Sequence, residues 1–299
     1  MCTYNGHAYL KWQMASFNDQ SFTNWTLYVS DDASTDETRE MLADYQRCWG
    51  AHRLVIFDGP GKGFAANFMS LVRRPEIKGD YFAFSDQDDV WFKDRLERGV
   101  KQLEVLDKSC PALYCTRTRL VNSCLEVIGM SPFFSRPPSF KNALVQSIAG
   151  ANTMLINSAA RELLVLLPEQ TPIVAHDWLS YLLITGCGGQ VVYEFEPSLD
   201  YRQHGGNLIG ANSSFSEKLS RFRQMLSGRF AVWNDKNLVA LKGIEPYLTG
   251  ENLKALEFFS TGRKSRLFKR VIAMWNSGVY RQTIQGNVSL VVAILLGRI

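Results

Sequence analysis

In the first part of the chain, short β-rich runs alternate with stretches whose apolar residues recur every three or four positions. This alternation predicts strands that alternate with helices. Short β-rich runs at 25–30, 52–57 and 80–84 each end in a polar turn, as buried strands do. Stretches at 36–47 and 64–73 carry apolar residues three or four positions apart, which predicts helices. Because strand, turn and helix follow one another repeatedly, we expect an α/β fold with a mostly parallel central sheet flanked by helices.

The pattern changes character near residue 212. Before this point it predicts further strands at 111–116, 120–121, 151–156 and 190–194, and helices at 94–107 and 158–167. Beyond it the pattern is helical with basic faces, over 216–227, 231–246, 251–259 and 264–275. We therefore predict an α/β domain over 1–212 and a helical C-terminal extension over 213–299.

The composition is typical of a globular protein. Of its 299 residues, 46% are hydrophobic and 21% are charged, which excludes a disordered chain and allows a full core. The net charge is a modest +4, and basic residues gather at 218–229 and 263–270 beside apolar segments. Such a basic tail suggests anionic lipid at least as readily as nucleic acid.

Cysteine and hydropathy patterns bear on the compartment. The six cysteines form no Cys-x-x-Cys pair and the four histidines fall at no zinc-site spacing, so a reducing compartment is the simpler expectation. The sequence has no recognisable secretory leader, and its most apolar stretch, 288–296, is too short to cross a bilayer. We expect a cytoplasmic protein that can associate peripherally with the inner face of the cell membrane.

Three carboxylates lie within four positions, at Asp86, Asp88 and Asp89, soon after the aromatic run 80–84. Carboxylates crowded at a strand end repel one another unless a cation lies among them, and Mg²⁺ or Mn²⁺ suits oxygen ligands. The alternative is a solvated acidic turn that caps the next helix. A second acidic pair, at 31–32, also follows a predicted strand, so we expect both acidic turns at the same edge of the sheet.

Five short segments follow one another along the chain. They are Thr3-Tyr4-Asn5-Gly6, 30–36, 85–91, His176-Asp177-Trp178 and Tyr201-Arg202-Gln203-His204. A lone Asp-x-Asp is weak, but this ordered series resembles family 2 inverting glycosyltransferases with the GT-A fold. It looks closest to bacterial rhamnosyltransferases that build surface polysaccharide. The resemblance implies that 1–212 is a GT-A catalytic domain.

The start of the chain departs from the family pattern. Family members usually carry several apolar residues before the Thr-Tyr-Asn turn, and these residues complete the first strand. Here Met1 lies almost at the turn. Either the natural chain begins upstream of Met1 or the sheet lacks part of a central strand. The second would expose backbone groups of neighbouring strands, so we expect an upstream start.

The resemblance implies a metal site in the crowded acidic turn. Asp88 is the expected direct ligand of Mg²⁺ or Mn²⁺. His204 is expected to be an additional ligand or a diphosphate contact, with a loop histidine bonded to backbone as the alternative. Asp86 is expected to touch the ribose or the sugar, and Asp89 to face the donor sugar or the following helix.

On the nucleotide side the resemblance assigns a second group of residues. Asp32 is expected to bind the base ring and Tyr4 to stack on it, although Tyr4 could instead belong to the core. Thr3 is a candidate backbone or hydroxyl contact. The segment 61–67 is similar to a family segment near the nucleotide, or is only a turn. Arg202 offers a guanidinium fork suited to phosphate oxygens, with a surface ion pair as the alternative.

Asp177 is the general base that the resemblance implies. It would accept the proton of the acceptor hydroxyl as that hydroxyl attacks the anomeric carbon from the face opposite the diphosphate. The apolar neighbours Trp178 and Leu179 would raise its pKa. The alternative, which is compatible with catalysis, is that Asp177 caps the following helix.

The predicted function is metal-assisted, inverting transfer of a sugar to a hydroxyl of a lipid-linked or growing polysaccharide acceptor. The expected donor is dTDP-L-rhamnose, and nucleic acid is not an expected partner. The tail would lie at the inner membrane surface through its basic residues, or it is an ordinary packed helix. These basic residues are Lys264, Arg266, Lys269 and Arg270.

Two other classes of function stay open from the sequence. A sugar-nucleotide pyrophosphorylase also uses an acidic metal site on an α/β sheet, but its glycine-rich signature is not found at the first turn, 3–6. A non-catalytic partner of another transferase, which binds nucleotide sugar or glycan, would carry similar segments. Loss of transfer in Asp177→Asn would separate this partner from an enzyme.

Overall fold

The computed structural model describes residues 1–205 and 228–299, so the predicted boundary near 212 and the predicted helix 216–227 lie outside the described residues. Strands alternate with helices over the first range, and helices alone follow in the second. The elements up to residue 121 are β1 (Cys2–Thr3), α1 (His7–Asn18), β2 (Leu27–Asp31), α2 (Thr38–Trp49), β3 (Leu54–Asp58), α3 (Phe64–Arg73), β4 (Tyr81–Ala83), β5 (Val90–Trp91), α4 (Arg95–Glu104), β6 (Ala112–Thr116) and β7 (Arg119–Val121).

The remaining elements complete the α/β part and, within residues 228–299, add four C-terminal helices. They are β8 (Val127–Met130), α5 (Phe140–Ala143), β9 (Leu155–Asn157), α6 (Ser158–Val165), α7 (His176–Gly186), β10 (Gln190–Glu194), β11 (Leu199–Arg202), α8 (Arg229–Gly243), α9 (Gly250–Arg263), α10 (Leu267–Ser277) and α11 (Ile284–Leu296). The predicted α/β class with flanking helices and C-terminal helices is confirmed.

Across residues 1–205 the strands form three sheets. The first, β1-β2-β3, is parallel. The second, β10-β6-β9-β4, has β9 antiparallel to both of its neighbours, and the third, β5-β11-β7-β8, is mixed. The amide of Cys2 donates to the carbonyl of Ser85 at 3.3 Å, which joins the first sheet to the end of β4. Parallel pairing therefore dominates where the first three strands meet.

The turns that follow β1, β2 and β4 meet at one edge of the joined sheets. The Tyr4 amide after β1 donates to the Gln87 side chain after β4, and the Asn5 amide donates to Ser34 Oγ after β2. Asn5 and Ala33 lie in the left-handed region, with φ of 47° and 68°. Backbone strain of this kind collects at functional sites. The two acidic turns thus share an edge, as the sequence predicts.

One predicted strand is partly replaced by a 3₁₀ turn. The pattern predicts a strand over 151–156, but Ala151–Thr153 forms the turn and β9 covers only Leu155–Asn157. The turn presents Asn152 to the acidic loop, where its side chain bonds Asp89. The first half of the strand prediction is therefore wrong, because a polar contact rather than sheet pairing governs these residues.

The largest hydrophobic core runs from the second sheet into the C-terminal helices. Trp178 on α7 stacks on Phe230 of α8 with ring centres 6.2 Å apart, and its Nε1 donates to the Ala143 carbonyl at 2.7 Å. Phe259 of α9 and Met274 of α10 belong to the same buried cluster. The C-terminal helices therefore support α7 directly.

Candidate active site

The first turn of the site joins β1 to α1 and is held by Gln87. The Gln87 side chain accepts a hydrogen bond from the Tyr4 amide at 2.8 Å and donates one to the Tyr4 carbonyl at 2.9 Å. Gly6 allows this approach, because a Cβ there would lie 2.2 Å from Gln87 Oε1. The Tyr4 side chain is 59% exposed, so the alternative that it belongs to the core is wrong.

A buried carboxylate, Asp31, ties the second turn to the first. It accepts hydrogen bonds from Thr3 Oγ1 at 2.7 Å and from the amide and hydroxyl of Ser34 at 3.0 and 2.6 Å. Thr3 is buried as well, so its hydroxyl is engaged inside the protein. The structure thus places Thr3 beneath the turn, where it supports the backbone that leads to Tyr4.

The carboxylate of Asp32 organises the glycine-rich loop. Its Oδ1 accepts from the Gly61 amide at 2.7 Å and its Oδ2 from the Gly63 amide at 2.8 Å. Both glycines have positive φ, which residues with a Cβ adopt only at a cost. A Cβ on Gly59 would lie 2.8 Å from Asp32 Oδ1. The segment 61–67 therefore begins as a loop that is bonded to Asp32, and its place near the nucleotide stays a prediction.

The carboxyl group of Asp86 lies in a crowded environment. Burial raises the pKa of Asp86 to about 7, and the carboxylates of Asp88 and Asp177 contribute to the increase. Asp86 thus interacts electrostatically with both the predicted metal ligand and the predicted base. A nearby cation would lower the pKa of Asp86, because it favours the charged form.

Asp89 lies beneath the acidic loop, out of reach of solvent. Its Oδ2 accepts from Asn152 Nδ2 at 2.7 Å, and its Oδ1 accepts from the Arg202 amide at 3.3 Å. Burial raises the pKa of Asp89 well above its usual value, and the carboxylates of Asp88 and Asp86 add to the effect. The donors around Asp89 therefore stabilise its charged form against a strongly opposing environment.

A buried arginine, Arg95, supports the same loop. Its guanidinium carbon lies 3.5 Å from the ring centre of Trp91, and its Nη2 donates to the Asn152 carbonyl at 2.6 Å. Burial lowers the pKa of Arg95 to about 9, and the Asp89 carboxylate opposes the decrease. Arg95 is therefore cationic at neutral pH and offsets part of the negative charge in the loop.

Arg202 is buried, so the alternative of a surface ion pair is wrong. Its Nε donates to the Asp88 carbonyl at 2.9 Å and its Nη1 to the Ser123 carbonyl at 2.7 Å. Its guanidinium carbon lies 4.7 Å from the ring centre of Tyr9 on α1. These contacts fasten the backbone of the acidic loop to β11 and α1.

Asp88 and His204, the two predicted metal ligands, lie next to each other. Asp88 Oδ2 and His204 Nε2 are 2.7 Å apart. The Tyr9 ring packs against the His204 ring with a centroid distance of 4.6 Å. The structure thus brings together two residues that are more than a hundred positions apart in the sequence, and α1 orients the histidine.

This pair fits a hard divalent cation that also binds a diphosphate. A carboxylate oxygen and an imidazole nitrogen are both suitable ligands for Mn²⁺, and Mg²⁺ takes its remaining ligands from water and phosphate. Across 1–205 and 228–299 there is no cluster of three or more His, Cys, Asp or Glu side chains that could hold a metal alone. Asp88 and His204 suit a metal whose coordination is completed by the substrate.

Asp177 lies in the first turn of α7 and is half-buried. Its Oδ1 accepts from the Trp178 amide at 2.7 Å, and burial raises the pKa of Asp177 to about 6, as its apolar neighbours predict. Ala175 rather than Asp177 occupies the N-cap position, but the Asp177 carboxylate still satisfies one amide of the first turn of α7. Asp177 is thus a stronger base than an exposed aspartate while it remains ionised at neutral pH.

Next to the predicted base, His176 anchors the start of α7. Its ring stacks on Phe68 with ring centres 3.8 Å apart and meets Phe84 edge-on at 5.1 Å. Burial lowers the pKa of His176 to about 3, so the imidazole is neutral. This aromatic packing fixes the backbone from which Asp177 projects.

Sequence reasoning missed the residues that hold the site together, namely Gln87, Arg95, Asn152 and Tyr9. Gln87 lies between two of the acidic residues, and this position could have indicated from the sequence that it belongs to the site. Asn152 bonds Asp89, and Arg95 bonds Asn152 from a separate element, and no periodicity in the sequence connects them.

Comparison with known proteins gives a match to a sequence family. The family described as Glycosyl transferase family 2 matches residues 1–163. The dTDP-rhamnosyl transferase RfbG of Shigella flexneri is 27% identical over 237 residues, which are 74% of this chain and 77% of that protein. The relative's sequence is thus similar well beyond the matched family segment.

Two solved structures have a similar fold. The mannosyltransferase PcManGT from Pyrobaculum calidifontis, in complex with GDP-Man and Mn²⁺, has a TM-score of 0.51 at 14% identity, covering 99% of this chain and 82% of its own. S. aureus TarS 1–349 in complex with UDP-GlcNAc has a TM-score of 0.51 at 14% identity, covering 92% and 87%. At these identities the likeness concerns the fold alone.

The contact between Asn152 and Asp89 predicts a pH-dependent effect of Asn152→Asp. The substitution replaces the Nδ2 donor, 2.7 Å from Asp89 Oδ2, by a carboxylate oxygen. We expect the free energy of unfolding at pH 8 to fall by about 3 kcal/mol. The loss should shrink toward pH 5, because the repelling pair has a raised pKa in the folded state and gains a proton there. Urea denaturation of both proteins at pH 8 and at pH 5 measures the loss in free energy of unfolding.

Asn276→Asp is the matched control, because Asn276 is exposed on α10. It should change the free energy of unfolding by less than about 0.5 kcal/mol. A loss in Asn152→Asp that is equal at pH 5 and pH 8 would contradict the carboxylate contact and indicate a packing defect instead.

Proposed function

Because the chain belongs to glycosyl transferase family 2, we propose that it moves L-rhamnose from dTDP-L-rhamnose to a hydroxyl of a lipid-linked or growing polysaccharide, with inversion of the anomeric carbon. Family membership makes the chain a glycosyltransferase with the GT-A fold. It favours neither a pyrophosphorylase nor a non-catalytic binding partner. The relative named as a dTDP-rhamnosyl transferase supports the choice of donor.

The strongest support for this function is the Asp88–His204 pair, which joins the loop after β4 to the residues after β11. The exposed Tyr4 ring stands on the adjoining first turn, and the Asp32 loop lies on the other side of that turn. A nucleotide diphosphate sugar presents a base, a diphosphate and a sugar in that order. Tyr4 and Asp32 would receive the base, and Thr3 would support Tyr4 from below.

The residues of the acidic loop and those bonded to it would have different roles. Asp88 and His204 would hold Mg²⁺ or Mn²⁺, which when bound stabilises negative charge on the departing diphosphate. Asp86 would contact the ribose or the sugar. Asp89 and Arg202 are buried and bonded beneath the loop, which supports a positioning role for both rather than a phosphate contact for Arg202.

Asp177 would act as the general base. Its carboxylate accepts the proton of the acceptor hydroxyl while the hydroxyl oxygen forms a bond to the anomeric carbon. The bond from that carbon to the diphosphate oxygen breaks, and its electron pair leaves with the diphosphate. Attack from the face opposite the leaving group inverts the carbon. The raised pKa of Asp177, about 6, supports this role.

The reaction would take place at the inner face of the cell membrane. A nucleotide sugar is dissolved in the cytoplasm, whereas a lipid-linked acceptor is confined to a membrane surface. An enzyme that joins the two gains from lying at their boundary, because the acceptor is then concentrated around its site.

A panel of nucleotide sugars tests the donor and the metal together. We expect purified protein to hydrolyse dTDP-L-rhamnose at least roughly tenfold faster than UDP-GlcNAc or GDP-mannose, because the base and the sugar are both recognised. Chelation by EDTA should abolish the reaction and Mn²⁺ should restore it. Release of dTDP measures the rate. Preference for another nucleotide sugar would overturn the donor, and full activity in EDTA would overturn the metal.

Asp177→Asn should separate catalysis from binding. We expect kcat for transfer to fall by about 10²- to 10⁴-fold, because the amide cannot accept the proton, while dTDP affinity stays unchanged. In the unsubstituted protein kcat/KM should fall as the pH drops below about 6, since protonated Asp177 cannot act as a base. Steady-state rates from pH 5 to pH 8 measure both effects.

The exposed Asp107 provides the matched control for this substitution. Asp107→Asn should retain the rate and the pH profile of the unsubstituted protein. Transfer that persists undiminished in Asp177→Asn, or a kcat/KM that stays flat down to pH 5, would remove Asp177 from the role of base.

A further inference from the structure

The last helix, α11, presents an apolar stripe to solvent. Ile284, Val288, Val291 and Leu295 are spaced four, three and four residues apart, so they lie on one face. Each of these four side chains is more than half exposed. The opposite face packs on the protein through the buried Leu290. The helix contains no charged residue at all, which is unusual for a face in contact with water.

The neighbouring helix, α10, carries a second exposed stripe. Phe268, Ile272 and Trp275 follow at spacings of four and three residues and are each more than 60% exposed. Met274 and Ser277 form the inner, buried face of the same helix. An aromatic pair that is nearly fully exposed is a large apolar surface for a protein that stays in solution.

Within the segment that carries the stripes, every charged side chain is basic. From 258 to 299 the sequence contains no Asp or Glu, and its basic residues are Arg263, Lys264, Arg266, Lys269, Arg270, Arg281 and Arg298. Lys264, Arg266 and Lys269 are exposed next to the stripe of α10. The surface therefore complements one that is apolar and negatively charged.

One of the four basic residues expected at the membrane has a different role. Arg270 donates to the carbonyls of Ser265 at 2.9 Å and Ile294 at 3.0 Å, and so binds α10 to the end of α11. It is not free to face a lipid head group. The electrostatic attraction is left to Lys264, Lys269 and the other exposed basic residues.

From these observations we infer that the exposed faces of α10 and α11 form a docking surface for an anionic lipid bilayer. The two helices lie in the interface, with their apolar stripes among the acyl chains and the lysines at the head groups. In the described ranges no helix is long and apolar enough to span a bilayer. A second protein copy would meet an equally basic surface, so charge favours lipid as the occupant.

The docking surface is linked to the helix that carries Asp177. The Tyr280 carbonyl, between α10 and α11, accepts from Asn142 Nδ2 at 3.0 Å. Tyr181 Oη donates to Asn142 Oδ1 at 3.0 Å, and Tyr181 lies on α7, one turn after the base. The inference deepens the proposed function, since the lipid-linked acceptor would lie at the same surface. Its test does not depend on sugar transfer.

Co-flotation with vesicles tests the docking surface. We expect the purified protein to float with vesicles that contain phosphatidylglycerol and much less with phosphatidylcholine alone. The double substitution Trp275→Ser with Val288→Ser should weaken the binding at least roughly tenfold, because it removes apolar contact from both stripes. Lys264→Glu with Lys269→Glu should weaken it to a similar extent and abolish the preference for anionic vesicles.

Two control substitutions match these variants in exposure. Val239→Ser replaces an exposed valine on α8, and Lys108→Glu reverses an exposed lysine between α4 and β6. Both should float like the unsubstituted protein. All the altered side chains are solvent-exposed, so the variants should keep the thermal midpoint of the parent, which a melting curve checks.

Three outcomes would overturn the inference. The first is no flotation with either vesicle, and the second is flotation of the stripe variants equal to that of the parent. The third is a dimer in solution that the stripe variants dissociate without any vesicle binding, because the occupant is then a second copy. Donor hydrolysis is measured on the same samples. Asp88→Asn should lose hydrolysis but still float, so failure of the proposed function and failure of docking are distinguished.

Discussion

Repulsion among three carboxylates at the end of β4 is the constraint on which the rest of the site depends. Asp86, Asp88 and Asp89 lie within four positions, and burial raises the pKa of two of them. Each of the three carboxyl groups has different surroundings. Asp89 receives donors beneath the loop, Asp88 receives the imidazole of His204, and Asp86 is left with its raised pKa. Asp86 is only partly buried, so a cation could still approach it and favour its charged form.

The repulsion within the acidic loop also explains why residues from distant parts of the sequence contribute to the site. Arg202 and His204 come from the end of the α/β part and return to the loop after β4. Asp177 enters on α7, which the C-terminal helices support through the packing of Trp178 on Phe230. A polar loop that cannot stabilise itself is thus fixed by rigid elements on several sides, which is what precise placement of reacting groups requires.

Most of the fold and the positions of the main site residues could be predicted from the sequence. Strand endings mark the acidic turns, and parallel neighbouring strands bring those endings to one edge. The supporting contacts could not be predicted, since Asn152 lies in a 3₁₀ turn within a run of strand-forming residues. The phosphate contact of Arg202 stays a prediction, whereas its burial beneath the loop depends on which side of β11 faces inward. Burial of a single polar side chain leaves no periodic signal.

If Asp88 and His204 hold a divalent cation at the diphosphate of the donor, binding of Mn²⁺ and binding of dTDP are coupled. Titration of Mn²⁺ into the protein with dTDP, followed by the paramagnetic resonance signal of free Mn²⁺, measures this coupling. We expect the protein and dTDP together to bind Mn²⁺ more tightly than either alone. We also expect Asp88→Asn and His204→Ala each to weaken this binding at least roughly tenfold. Unchanged binding in both variants, or no gain over dTDP alone, would contradict a metal site at Asp88 and His204.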